Sequence, residues 1–362
     1  MAVIIPLLSS DFPDHGTREV AVSGGMRAEV FRYASGVAAL RLLTPRADIV
    51  VLPFQGQQVW RAAFDGRELA MTSMFDTPVA TDHYLSTYGA FFIHCGVTRI
   101  GPPSADDLHP LHGELPLGQF ETAELVIDEA AGRIAVRGRF RHRIAFTVHY
   151  EATAEVSLAA DATQIEITLD VVNKRAAHPL ELMYLGHANF RAVDYGRLVY
   201  AAHYTPEDVA VRRSIPPHIK AGPGYAAFLA ELAQDPVRHH VLDPALPFDP
   251  EAVFTLRMIP DAEGWSHAMQ VHPEGHADFI SYDARTLPLA MRWICRTADQ
   301  QGLGMAMPAT AGVEGYAVEA EAGRIVTVPP QGHWRAQMRM GALDAPAASA
   351  FGAQIDRLAG RA

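Results

Sequence analysis

Gln164-Ile165-Glu166-Ile167-Thr168-Leu169-Asp170-Val171-Val172 alternates polar and apolar side chains as far as Val171. Successive side chains of a strand point to opposite faces, which puts Ile165, Ile167, Leu169 and Val171 on one side and Glu166, Thr168 and Asp170 on the other. A strand with one dry and one wet face belongs in an antiparallel sheet, because parallel strands are covered on both faces. The same texture extends in both directions. Upstream, Thr122–Asp128, Arg133–Arg139 and Ala145–Val156 read as strands; downstream, past the Asn173-Lys174-Arg175 turn, so does Leu180–Phe190. Further out lie short apolar runs bounded by turn residues: Ala28–Phe31, Val37–Leu43, Asp48–Pro53 and a strand around Val59-Trp60. Phe254–Ile259, His267–His272, Ala277–Tyr282, Leu289–Arg296, Gly302–Met307, Arg324–Val328 and His333–Met340 follow. Helical patterning is confined to Tyr225–Ala233 and to a C-terminal stretch where Phe351, Ile355 and Leu358 are spaced to share one face. The expected fold class is all-β: one large antiparallel β-sandwich with few short helices, occupying residues 1–362 as a single domain.

Composition narrows the function. Of the 362 residues, 49% are hydrophobic and 20% charged, enough apolar material for a continuous core. The formal charge of −11, with no cluster of Lys and Arg, argues against a nucleic-acid surface; Arg212-Arg213 reads as a solvated loop. Cys95 and Cys295 form no C-x-x-C pair and read as reduced core residues. No apolar run reaches the length of a membrane span, and Val3–Leu8 is too short for a signal peptide. The expectation is a cytoplasmic protein with no membrane and no nucleic-acid partner.

Between Tyr84 and Phe120 the strand texture is lost. Gly89, Gly96, Gly101, Gly113 and Gly118 alternate with prolines, and His94, Arg99, Asp106, Asp107, His109, His112 and Glu114 crowd together. A structureless loop of this length inside a compact fold is usually functional. Residues at i and i+2 of an extended chain share a side, so His112 and Glu114 are expected to face one way. Such a pair suits acid–base chemistry, metal ligation or a solvated edge. His187 and Asn189 end an otherwise apolar strand, and Glu314 sits in the glycine-rich Met307–Tyr316 segment. The other histidines, among them His94, His149, His178, His203, His272 and His276, read as ordinary, since 17 histidines place some near any site by chance. A helix-borne zinc motif has no support, and neither a nucleophile elbow nor a phosphate or dinucleotide loop is present.

Arg99-Ile100-Gly101, Leu111-His112-Gly113 and the strand with Gly186-His187-Ala188-Asn189-Phe190 together resemble the aldose 1-epimerase (galactose mutarotase-like) superfamily. There an Arg precedes an L-H-G-G motif, a second His follows in N-H-x-Y-F-N-L, and a catalytic Glu lies near the C-terminus. The resemblance implies the galactose mutarotase-like supersandwich. It also implies Arg99, His112 and Asn189 as substrate-binding residues and His187 as general acid. Two residues depart from the motifs: Glu114 stands for the second Gly, and Gly186 for Asn. A third departure concerns the base, because Gly304-Met305-Ala306-Met307-Pro308 offers Met or Ala where the catalytic Glu belongs, leaving Glu314 or Glu114 to replace it. The expected function is a carbohydrate epimerase that opens and closes a free sugar ring by acid–base chemistry, without cofactor or metal. The partner is a small-molecule carbohydrate, and a homodimer is compatible with the chain. Two alternatives stand beside it: a metal-dependent sugar isomerase or lyase using His112, Glu114 and His187, and a non-catalytic carbohydrate-binding protein.

Overall fold

A computed structural model describes residues 2–103, 107–215 and 220–361. Its strands form two antiparallel sheets of nine and 13 strands, and its α-helices are Tyr225–Gln234, Tyr316–Glu321 and Ala345–Leu358. The all-β reading and the sparse helix stand.

The alternating stretch forms the strand Gln164–Asn173 in the middle of the nine-stranded sheet, between Val148–Ala159 and His333–Leu343. Leu169 is opposite Ala154 on one side and Ala336 on the other. Ile165, Ile167, Leu169 and Val171 are fully buried, each contributing about 1.5–3 kcal/mol of apolar burial. On the wet face Asp170 pairs with Arg335 at 3.1 Å, and Glu166 accepts from Gln337. The dry face meets the 13-stranded sheet, and one apolar cluster joins Ile165 and Leu169 to Leu40, Ile49, Phe64, Phe92 and Leu182 of that second layer.

A second cluster lies on the opposite face of the 13-stranded sheet and includes Val50, Trp60, Ile93, Cys95, Met183, Leu185, Met291, Trp293 and Met307. In this region the large sheet is covered on both faces, which explains the strand the alternation rule misses. Phe92–Val97 lies inside the stretch expected to be a loop, and all six of its residues are buried. With no wet face there is no polar–apolar alternation to detect. Val3–Leu7 is likewise a strand, paired with Thr122–Asp128.

The C-terminal helix forms as its spacing predicts. Asp344 caps it by accepting from the Ala347 N–H at 2.9 Å, and Ile355 is fully buried. Phe351 packs edge-on to His267 and Phe279. Both cysteines are free and buried. Among the described residues no helix is long and apolar enough to cross a membrane.

Candidate functional site

The strands Phe92–Val97 and Leu180–Ala188 pair with Leu185 opposite Cys95 and His187 opposite Ile93. The strands Leu289–Arg296 and Gln301–Ala309 extend the same surface and add Met291, Trp293 and Met307. Connecting segments bring Phe75, Tyr84, Tyr88, His112, Arg212, Glu251 and Val313 over it. Together these residues enclose a cavity of about 380 Å³. That lies at the small end of the range for ligand pockets, and the walls are mostly aromatic and apolar with few polar groups, as such pockets usually are.

His187 is the most constrained polar group in it. Asn189, fully buried behind it, donates its amide N–H to the Ala90 carbonyl at 2.8 Å, which turns Oδ1 toward His187. His187 Nδ1 lies 2.8 Å from that oxygen and must therefore carry a proton. Burial lowers the imidazole pKa to about 4, only partly opposed by the Asn189 hydrogen bond. The resting side chain is therefore neutral, with a lone pair on Nε2 that can accept a proton. The Tyr88 hydroxyl is 3.5 Å from Nε2 and 3.4 Å from Asn189 Oδ1. Burial pushes the Tyr88 pKa well up, so this hydroxyl remains a donor.

His112 reaches the cavity by a different backbone route from the one its sequence suggests. Its φ of 62° and that of Gly113, 83°, are left-handed, so the segment turns and is not extended. A Cβ at Gly113 would sit 2.3 Å from the Arg99 carbonyl oxygen, which reserves the position for glycine. The turn separates the expected pair. The His112 ring stands edge-on to His187 with centroids 5.4 Å apart, and packs against Tyr84 at 5.1 Å.

Glu114 points elsewhere. Its carboxylate accepts from the Val97 and Thr98 N–H groups at 3.1 and 3.0 Å, the Thr98 hydroxyl at 2.8 Å and the Tyr150 hydroxyl at 2.7 Å. The fully buried Tyr150 comes from the other sheet, so this carboxylate ties the two layers together. It therefore does not converge with His112 and His187 on one point. Glu114→Ala would strand these donors and is expected to lower the unfolding free energy by about 3–5 kcal/mol in urea titration. A purely catalytic carboxylate would instead leave stability unchanged.

The remaining expected residues divide. Arg99 lies outside the cavity lining: its guanidinium stacks on Tyr316 at 3.9 Å and donates to the Thr98 carbonyl at 2.6 Å. Asp106, one of the polar residues crowded around it in the sequence, lies outside the described residues. Glu314 is exposed at the cavity rim, where it holds Arg212 Nε at 2.7 Å and accepts from Ser214 at 3.1 Å. Arg212 is thus a wall residue of the cavity and not a solvated loop residue. Met307 lines the cavity from the segment where the resemblance places the catalytic Glu.

Sequence reading missed the carboxylate that does line the cavity. Glu251 follows the Asp249-Pro250 pair at the edge of the strand Ala252–Leu256, and its Oε2 accepts the Trp293 indole N–H at 2.7 Å. Trp293 in turn packs edge-on to His187 at 5.8 Å and to Tyr88 at 5.9 Å. Nothing in the local sequence around Glu251 marks it; only its register across from Trp293-bearing strand Leu289–Arg296 brings it in. Cys295 also lines the cavity, but burial pushes its thiol pKa up to about 12, so it is not a ready nucleophile.

Comparison with known proteins places the fold. A family model described as a domain of unknown function, DUF4432, matches residues 34–197, which include His112, His187 and Asn189 but not Glu251 or Trp293. No curated protein matches the chain. Among solved structures, a Klebsiella pneumoniae protein provisionally named aldose 1-epimerase superposes with a TM-score of 0.82 at 17% identity, over 99% of this chain and 96% of that one. A galactose mutarotase-like protein from Clostridium acetobutylicum gives 0.57 at 13% identity, over 91% and 99%. Galactose 1-epimerase from Lactobacillus acidophilus gives 0.55 at 11%, over 90% and 98%. At these identities the likeness is one of fold, and the resemblance seen in the motifs holds at that level.

Proposed function

With the galactose mutarotase-like fold as premise, we propose that the protein is a carbohydrate epimerase acting on a free sugar by opening and closing its ring. The observation that carries the reading is the state of His187: neutral, with its Nδ1–H held by Asn189 and its Nε2 available beside His112 and Trp293. A sugar ring stacked against Trp293 and Tyr88 would present its anomeric centre to that nitrogen. Nε2 takes the proton of the anomeric hydroxyl, the bond from the anomeric carbon to the ring oxygen breaks, and the new imidazolium returns the proton to the ring oxygen. The open-chain aldehyde rotates and the same steps run backwards. Both oxygens are bonded to one carbon, so a single nitrogen can serve each in turn. Asn189 stabilises the transient imidazolium through Nδ1–H, and Glu251 and His112 hold the sugar hydroxyls. A one-group shuttle accounts for Met307 standing where the related motifs place a base. It also assigns His187 as base first, whereas the motif resemblance alone implies an acid.

The pH dependence distinguishes these roles. The profile of kcat/KM reports free-enzyme groups. If neutral His187 is the reactive form, kcat/KM is flat between pH 5 and 8 and falls only as the pH drops through about 4. A required imidazolium would instead lose about tenfold per pH unit across that same range. The activity itself is tested by adding freshly dissolved single anomers of common aldoses and following optical rotation. Acceleration over the spontaneous rate supports the proposal; saturable sugar binding without acceleration favours a carbohydrate-binding protein.

A further inference from the structure

A second group of donors lies outside the cavity lining, at the hairpin His272-Pro273-Glu274-Gly275-His276 that joins the strands Trp265–Val271 and Ala277–Asp283. The two histidines, read from sequence as ordinary, do have i, i+4 spacing, but on a turn rather than a helix. The turn is closed by the His272 N–H donating to the His276 carbonyl at 2.8 Å and the Gly275 N–H donating to His272 O at 2.9 Å. Gly275, at a φ of 94°, supplies the left-handed residue that closure needs. As a result the two imidazole centroids are 4.2 Å apart, and one ligand atom each from His272, Glu274 and His276 lies within 4.8 Å of the others.

We infer that His272, Glu274 and His276 form a binding site for a divalent transition-metal ion of the zinc class. Two imidazole nitrogens and one carboxylate oxygen are donors that zinc and its neighbours favour over calcium or magnesium. On a tetrahedral zinc ion, with bonds of about 2.0–2.1 Å, ligand atoms stand about 3.3 Å apart. Small side-chain adjustments, which the exposure of Glu274 and the partial exposure of His276 allow, close the difference. His272 already has a carboxylate against one ring nitrogen. Its Nε2 lies 2.8 Å from Asp278 Oδ2 and 3.2 Å from Arg67 Nη1; the shorter contact assigns the proton to Nε2 and leaves Nδ1 as the donor lone pair. A carboxylate behind a ligating histidine is the usual outer partner of a metal site. Arg67, 2.6 Å from Asp278 Oδ1, cancels the Asp278 charge, so Glu274 supplies the net negative charge facing the ion. Because none of the three ligands lines the cavity, the ion clips the hairpin and takes no part in sugar chemistry.

Tag-free protein stripped with chelator and titrated with Zn²⁺ by calorimetry is expected to bind one equivalent per chain, and Co²⁺ to give a visible ligand-field band. Glu274→Gln changes only an exposed side chain, and His276→Asn keeps a side chain of similar polarity. Each is expected to weaken Zn²⁺ binding at least tenfold and to diminish the Co²⁺ band, with the sugar interconversion rate unchanged. Absence of saturable binding in the unaltered protein, or equal binding in both variants, would overturn the site.

Discussion

His187→Gln is expected to lower sugar interconversion by about 10²–10⁴-fold, the usual contribution of one positioned acid–base group. Glutamine keeps a polar side chain of similar length against Asn189, so folding should survive, but it has no nitrogen that can take and return a proton. Measured against unaltered protein by optical rotation, the loss should appear in kcat with KM changed far less. Asn189→Ala is the informative companion. It removes the oxygen that holds Nδ1–H and the amide bonded to Ala90 O, both at 2.8 Å. Its effect should be smaller, and the acid limb of the pH profile should move to lower pH, because the lost Asn189 hydrogen bond no longer opposes the lowering of the imidazole pKa by burial. If His187→Gln retained full activity, the proton shuttle would be wrong and Glu251 would be the group to test next.

The second large effect is on stability at mildly acidic pH. His94, His187, His239 and His240 are all buried, and burial is the first cause lowering the pKa of each: to about 3 for His94 and His240, to about 4 for His187, and well below the ordinary value for His239. The nearby Arg292 guanidinium lowers His239 and His240 further. An unfolded histidine takes up its proton near pH 6.5, whereas these hold none in the folded protein until far lower. Between those values the unfolded chain binds more protons, so stability is full above pH 6.5 and is lost as the pH falls toward 4. Each group contributes up to about 1.4 kcal/mol per pH unit in that window. From pH 7 to pH 5 the loss is about 2 kcal/mol for each histidine. Across four groups this rivals the whole stability of many domains. Ion-paired carboxylates such as Asp65 and Asp283, whose pKa values are lowered chiefly by hydrogen bonds from Arg46 and Arg285, act in the same direction but only below their ordinary value of 3.8. The window from 6.5 to 4 therefore isolates the histidines. Urea titrations at stepped pH should show the slope; a flat profile would mean that these histidines are charged in the folded protein.

Part of the cavity lining was legible in the chain. His112, His187 and Asn189 stand in short motifs; His187 and Asn189 lie at the polar end of an apolar strand, as their neighbours suggest, whereas His112 comes beside them by a left-handed turn that the extended reading did not anticipate. Glu114 misled because two residues of separation imply a shared face only in extended chain, and the backbone there is left-handed at His112 and Gly113. Arg99 misled in a different way, since the Tyr316 ring that it stacks on comes from more than two hundred positions away. Glu251 was invisible because a carboxylate after a proline has no local signature. Its position depends on the pairing of Ala252 with Ile294 and on the Trp293 indole one residue before it.

The amino-acid sequence by itself determined the sheet class and most of the strands, because alternation is a local property: each residue's face follows from the backbone period alone. It also determined the C-terminal helix, whose apolar spacing and Asp344 cap lie within one short segment. Only the tertiary structure decided that Phe92–Val97 is a strand covered on both faces, that Glu114 binds the layers together, and that Glu251 and Trp293 complete the cavity around His187. Those outcomes depend on which distant strands become neighbours. That is set by burying the two faces of the 13-stranded sheet at once, and no short window of sequence contains both surfaces.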